Sequence, residues 1–509
     1  MITLWQDIKY GLRMLALLCL CHLAAFWCGA CNLLAADKKG LDQDTLFPPH
    51  SLREDVDFLV GTLCDVHFGL SGATPRITAL RSAAEELKAQ LIEPLTQAQF
   101  FVRLAPLVAG LEDGHTRIHL PSRSIEAYKK TGGTVIPVDV TFLDGRVYLL
   151  RNYATNAEMA PGAELLAING VPVGEIIQRL SRVLSGERET FRLVWLEGKG
   201  NDYFKVLLWV VYGFRDTFDV RYQQDGVVCE AQLPGLSSQT LQAMREKSGQ
   251  ALRPFRYLRQ GERIGLLEIK TFQAKDGEYE GFLKKTFRQI RVEGIEHLII
   301  DVRGNLGGSS GQAGELLSYL AANPMDMTPV AEVRVSAQAK SRFKKRIPGA
   351  LRWLPVQNLS SRGRTVWNAP EGSVVAFKEE PIEPKPQKER YCGKVYLLVD
   401  EGTFSTAALL ADAMKHNGVG LLIGRETGGL AGSTLGEPLF FETPHCGIGF
   451  SVSAMRFQQD EVSSVADRRG VVPHLMVDKD LNDQIHGIDT VLEKAKTLIS
   501  SEMAQKGMK

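Results

Sequence analysis

Ser405 stands where an apolar run gives way to a helical pattern. In LLVDEGTFSTAALLADAMKHNG (397–418) the aliphatic start reads as a buried strand ending at Asp400, and Gly402 marks a tight turn. Ala408, Ala411 and Met414 then share one face of an amphipathic helix that Asn417–Gly418 stops. A hydroxyl at this junction is held out of the sheet. The helix N-terminus beside it offers partial positive charge and free N–H groups, which suit a nucleophile whose attack creates an oxyanion. A serine that merely N-caps the helix would sit at the same place, and this segment alone leaves both readings open.

Three further segments carry residues that a serine nucleophile would need. LIIDVRGNLGGSSGQAGEL (298–316) runs from a strand through a glycine-rich loop into a helix. It lacks the Gly-Lys-Ser/Thr of a nucleotide P-loop, and no two of its glycines are spaced as a dinucleotide loop requires. A plain turn, or a backbone amide aimed at developing negative charge, remains. A serine also needs a base, and histidine is the usual one. Of ten histidines, His115 is the one set in a glycine turn, EDGHT, at a domain edge. It reads either as that base or as a structural histidine. An acid at Asp467, in VADRRGVVPHLMV (465–477), could hold such an imidazole or could be a surface charge.

Taken together, four segments resemble, in order, the tail-specific (C-terminal-processing) protease and tricorn superfamily of serine peptidases. They are DGHT (113–116), DVRGNLGG (301–308), DEGTFSTAALLADAMKHNGVGLLIGRETGG (400–429) and RRGVVPHLMV (468–477). IDTVLEKA (488–495) resembles the family's closing helix. The resemblance implies Ser405 as nucleophile, with oxyanion amides from Gly308 and Thr406. The C-terminal-processing branch uses a lysine about two dozen residues past the serine, where this chain has Leu430. The tricorn branch uses a histidine and an acid instead, at the places of His115 and Asp467. Asp467 is shorter than the glutamate of that branch, so Glu461 is held as a reserve for the acid. His474 also replaces the aspartate that usually follows the proline.

These residues need a scaffold. Leu52, Val56, Leu59, Val60 and Leu63, then Leu80, Ala83, Ala84, Leu87 and Leu91, recur at helical spacing, and Thr96 opens a third helix over 96–111. We expect a helical domain over 51–121. Residues 132–235 read as short strands with one helix at VGEIIQRLSRVL, and PGAELLAINGVPVGEIIQRL (161–180) resembles the core of a PDZ domain. From 255 to 500 the order strand, helix, strand predicts an α/β catalytic core, crotonase-like by the resemblance. An irregular insertion is expected over about 325–390, where Pro, Arg, Lys and Ser accumulate.

The chain has 509 residues and a formal net charge of +1, so no basic excess points to nucleic acid. Residues 14–36 carry no Asp, Glu, Lys or Arg and follow Lys9 and Arg13. They read as a signal peptide or a membrane anchor, with 37–50 as a linker and the remainder in the cell envelope, periplasm or medium. Four of eight cysteines lie in that run. Cys64, Cys229, Cys392 and Cys446 form no metal-binding spacing, and disulfides among them are open to a chain outside the cytoplasm.

The expectation is an exported serine endopeptidase that acts on protein or peptide substrates through an acyl-enzyme. It requires no metal or cofactor, and it meets the membrane only through its N-terminus. Two other readings stay open: a non-catalytic binding protein on the same fold, as in the superfamily's retinoid-binding relatives, and a hydrolase of small esters.

Overall fold

A computed structural model describes residues 45–154, 159–197, 202–247, 253–275, 277–345, 361–459 and 468–507. The chain divides into two compact units. One comprises residues 39–252, 435–455 and 477–509, and the other residues 1–38, 253–434 and 456–476.

The first unit opens with helices α1 (Pro49–Val66), α2 (Thr74–Gln90) and α3 (Gln97–Ala109). Leu52, Val56, Leu59 and Leu63 of α1 are fully buried, as their spacing requires. Thr96 starts α3 with a reciprocal cap. Its Oγ1 accepts from Gln99 N at 3.2 Å, and Gln99 Oε1 accepts from Thr96 N at 2.9 Å. The short strand β1 (Arg117–Ile118) and helix α4 (Ser122–Lys130) follow.

An antiparallel sheet comes next, from β2 (Val138–Leu143), β3 (Arg146–Asn152) and β4 (Glu164–Ile168) to β5 (Thr217–Gln224) and β6 (Val227–Pro234). Its strand order is β6-β5-β4-β3-β2. Between β4 and β5 lie α5 (Val173–Ser181), α6 (Glu189–Glu197) and α7 (Tyr203–Tyr212), and α8 (Ser238–Lys247) follows the sheet. Only α5 was expected there. YFKVLLWVVY of α7 buries Phe204, Val206, Leu207, Leu208 and Val210, and an apolar run without a polar face has no period to separate helix from strand.

The second unit is a mixed α/β layer. Its sheet has the order β7-β8-β9-β12-β13-β16: β7 (Phe255–Arg259), β8 (Ile264–Ile269), β9 (His297–Asp301), β12 (Lys394–Val399), β13 (Leu421–Gly424) and β16 (Leu475–Met476). β7 pairs antiparallel with β8, and every other pair is parallel. Helices α9 (Glu278–Val292), α10 (Ser310–Leu320) and α13 (Thr406–His416) connect the strands. Leu267, Leu298, Ile300, Leu397, Val399, Leu410 and Met414 form the fully buried centre. Strands covered on both faces read as continuous apolar runs, which is how IGLLEI, HLIID and KVYLLV appear.

The segment expected to be irregular is more regular than its composition suggested. It holds β10 (Val330–Arg334), α11 (Ala337–Lys345), α12 (Ser361–Asn368) and β11 (Val374–Lys378), with β10 and β11 paired antiparallel. Strands β14 (Ser433–Glu442) and β15 (Gly449–Gln458) begin in one unit and end in the other, and α14 (Leu481–His486) and α15 (Thr490–Gly507) belong to the first. The stretch expected to form one catalytic core is thus shared between the units.

Cys64, Cys229, Cys392 and Cys446 are free thiols, so the disulfides open to them do not form. Among the described residues no helix is long and apolar enough to cross a membrane, and the run 14–36 lies outside those residues.

Candidate active site

Ser405 joins β12 to α13 with φ +53° and ψ −127°. This is the conformation of the first central residue of a type II′ turn, ordinarily a glycine, and an L residue held there stores about 1–3 kcal/mol of strain. Its side chain does not cap the helix, so the capping reading falls. Ser405 is half-buried, while its neighbours from Glu401 to Phe404 and from Thr406 to Leu410 are buried.

The glycine-rich loop is bound to this turn by backbone and side-chain hydrogen bonds. Phe404 N donates to Asn305 O at 3.0 Å, and Thr406 Oγ1 donates to Gly308 O at 2.8 Å. Asp400 Oδ1 accepts from Gly304 N at 2.8 Å and from Gly402 N at 2.9 Å. Asn305 Oδ1 accepts from Gly307 N at 2.8 Å, while its Nδ2 donates to Ile269 O at 3.0 Å. Gly307 has φ +94°, and a Cβ there would lie 2.8 Å from Ser405 Cβ and 2.9 Å from Thr406 N. At Gly308 (φ +137°) a Cβ would run into the Phe272 carbonyl, with which the loop forms a parallel bridge. The glycines are therefore required by close approach and by backbone conformation. Asp301 anchors the loop's start. Burial would raise its pKa, but Arg303 and Lys270, both hydrogen-bonded to it, outweigh burial and lower it.

The far side of the turn is closed by residues 426–431. Gly429 N donates to Thr403 O at 3.1 Å, and a Cβ on Gly429 would lie 3.0 Å from Ser405 N. Thr427 Oγ1 accepts from Val471 N at 2.8 Å, Glu426 accepts from Gly470 N at 2.7 Å, and Leu430 bridges Gly470. The segment RRGVVPHLMV is thus laid beside the loop that carries Leu430.

In the other unit, His115 is 7% exposed and sits in the turn before β1. Ser451 Oγ of β15 donates to its carbonyl at 2.8 Å, and Thr116 Oγ1 accepts from Ser453 N at 2.9 Å. Asp113 Oδ1 accepts from His115 N at 2.9 Å and lies 3.7 Å from His115 Nδ1. Asp113 Oδ2 is 3.1 Å from Nε2 of His67, the residue that ends α1. Burial would raise the Asp113 carboxyl. Hydrogen bonds from His115 and His67, with their charges, outweigh it and hold the group well below the usual carboxylate range. Glu187, from the loop between α5 and α6, brings an oxygen within 4.8 Å of ligand atoms on Asp113 and His115. These three could chelate a divalent cation, at the expense of the imidazole's freedom to accept a proton.

The structure therefore brings Ser405, Thr406 and Gly308 together in one unit and sets His115 in the other. Asp467 and Glu461 lie outside the described residues. Sequence reasoning missed Asp113 and His67. The Asp-Gly-His spacing could have shown the first, since an Asx side chain commonly accepts from the amide two residues on. Nothing local could have shown the second.

A strained serine between a parallel strand and a helix, pressed against a glycine loop, defines a serine-type peptidase domain. Residues 263–477 match the family model described as Peptidase family S41, which supports a serine-type peptidase over that part of the chain. A protein of Chlamydia trachomatis serovar D is 25% identical over 276 residues, which are 47% of this chain and 45% of that protein, so the match spans about half of the curated relative. The structure of mature CPAF has a TM-score of 0.60 at 18% identity, over 90% of this chain and 98% of that one. Mature CPAF complexed with lactacystin has a TM-score of 0.61 at 18% identity, over 89% and 98%. At such identity these likenesses speak for a shared fold.

Proposed function

We propose that the chain is a serine endopeptidase that cleaves proteins or peptides outside the cytoplasm through an acyl-enzyme on Ser405. The observation that carries this reading is the positive φ of Ser405 against the Gly307–Gly308 backbone. Such strain persists where the surroundings over-determine it, and it presents the hydroxyl at a helix start. Ser405 Oγ attacks the scissile carbonyl, and His115 takes the proton and later returns it to the leaving amine. Amides of Gly308 and Thr406 receive the oxyanion. A carboxylate holds the imidazole, a place the family resemblance gives to Asp467. The second unit is read as a crotonase-like core, and residues 132–235 as a PDZ-like domain that presents substrate chain ends.

Labelling of the full chain by a fluorophosphonate probe tests the reading. Covalent modification of Ser405, suppressed by lactacystin, is expected, since a fold neighbour binds lactacystin. An unlabelled chain would leave the non-catalytic binding reading instead. The uncharged run 14–36 supports export. A reporter active only outside the cytoplasm, fused after residue 40, should give signal, and a silent fusion would refute export.

A further inference from the structure

We infer that Asp113 is the carboxylate that orients His115, and that His67 holds Asp113 in place from behind. This rests on the reading of His115 as the base. The argument begins with the turn. Asp113 and His115 are two residues apart across Gly114, and Asp113 Oδ1 is fixed by the His115 amide at 2.9 Å. The same oxygen lies 3.7 Å from His115 Nδ1, so backbone and ring face one acceptor. That distance is longer than a hydrogen bond, and catalytic contacts in unliganded enzymes tighten when substrate binds. The second oxygen is occupied by His67 Nε2 at 3.1 Å, which keeps the carboxylate from turning away.

Asp113 is 1% exposed and His67 is fully buried. The loop that carries His67 is tied to the turn by Arg76, which donates to Gly69 O at 3.2 Å and to Leu111 O at 3.0 Å. A carboxylate at Nδ1 selects the tautomer with the proton there and leaves Nε2 to accept the proton of the nucleophile. Asp113 stays ionised throughout. It stabilises the imidazolium without taking its proton, and it acts as a positioning residue. Among the described residues, Glu187 also brings a carboxylate oxygen close to the ring, from a separate loop.

The test is the rate of fluorophosphonate labelling by the folded full chain, with the thermal midpoint followed in parallel. Asp113→Asn should slow labelling roughly 100-fold or more, because an amide facing Nδ1 favours the wrong tautomer. Asp113→Glu should recover part of the rate, and Glu187→Gln should stay within about fivefold of wild type. A second measurement needs no variant of Asp113. In ¹⁵N-histidine-labelled wild type at mildly alkaline pH, the His115 resonances, assigned by their loss in His115→Gln, should show a protonated Nδ1 and a bare Nε2. The opposite tautomer overturns the inference. So does a folded Asp113→Asn that labels at the wild-type rate, or a loss that appears only at Glu187→Gln or only at Asp467→Asn. If His115→Ala itself labels normally, the base reading falls. If His115→Ala is dead while Asp113→Asn is active, only this inference falls.

Discussion

Around Ser405 the restraints act on backbone: glycines at φ +94° and +137°, loop amides held by the Asn305 and Asp400 side chains, a helix that starts one residue later. Around His115 the restraints are buried side chains, with Asp113 between two imidazoles and Ser451 and Thr116 fastening the turn to β15. The nucleophile needs a fixed direction, and steric exclusion supplies direction cheaply in a parallel α/β layer. A base needs a defined protonation state as well as a direction, and a buried carboxylate beside the ring can supply both. A backbone-built site should fail through added atoms, and a charge-built site through lost protons.

The largest effect tests whether both sites serve one reaction. Ser405→Ala and His115→Ala should each abolish acyl-enzyme formation, with losses of several orders of magnitude that do not add in the double variant. Ser405→Ala removes one oxygen from a half-buried position and should leave the denaturation midpoint near wild type. Additive losses, or a fully active His115→Ala, would separate the two turns.

Next comes the steric arm. Gly307→Ala would place a methyl 2.8 Å from Ser405 Cβ at a φ that L residues avoid. We expect about 1–3 kcal/mol of destabilisation, with labelling slowed at least tenfold in the fraction that folds. Normal labelling by a folded Gly307→Ala would mean that the serine is not held by this contact.

Much of the first site was legible because it is local. Strand, turn, serine and helix lie within 397–418, and the glycine loop within 301–308, so local chemistry reveals them. The site of the proposed base was half legible. His115 announces itself by its glycine turn, whereas His67 is 46 residues from Asp113 and belongs to a different helix end. Tertiary partners at that separation leave no periodic or spacing signal. The helices α6 and α7 were not anticipated, and in α7 the reason is related: burial around most of the helix erases amphipathic periodicity.

The charge arm has a defined sign. Asp113 is held well below the ordinary carboxylate value of 3.8, so its contribution to stability is complete above that pH and is lost as pH falls through the depressed folded-state value. Removing one partner of such a buried pair costs about 3 kcal/mol. Wild type and Asp113→Asn should therefore differ most at neutral pH in urea denaturation, and the gap should close in acid. A gap that is constant with pH would mean that Asp113 acts by packing and not by charge.

The smallest expected effect concerns Leu430. In the C-terminal-processing branch of the superfamily that this chain resembles, the base is a lysine at this place, and here the position is Leu430. Gly429 packs on the Ser405 amide, and Leu430, half-buried, bridges Gly470. A leucine there can neither accept nor release a proton. Its contribution is apolar contact. Leu430→Ala should therefore change labelling by no more than about threefold and cost roughly 1 kcal/mol, the ordinary penalty for trimming a partly buried aliphatic side chain. A loss comparable to that of His115→Ala, in a folded variant, would mean that the 426–431 loop shapes the site more than the histidine turn does. The contrast between a sterically built nucleophile and a charge-built base would then have to be redrawn inside the second unit alone.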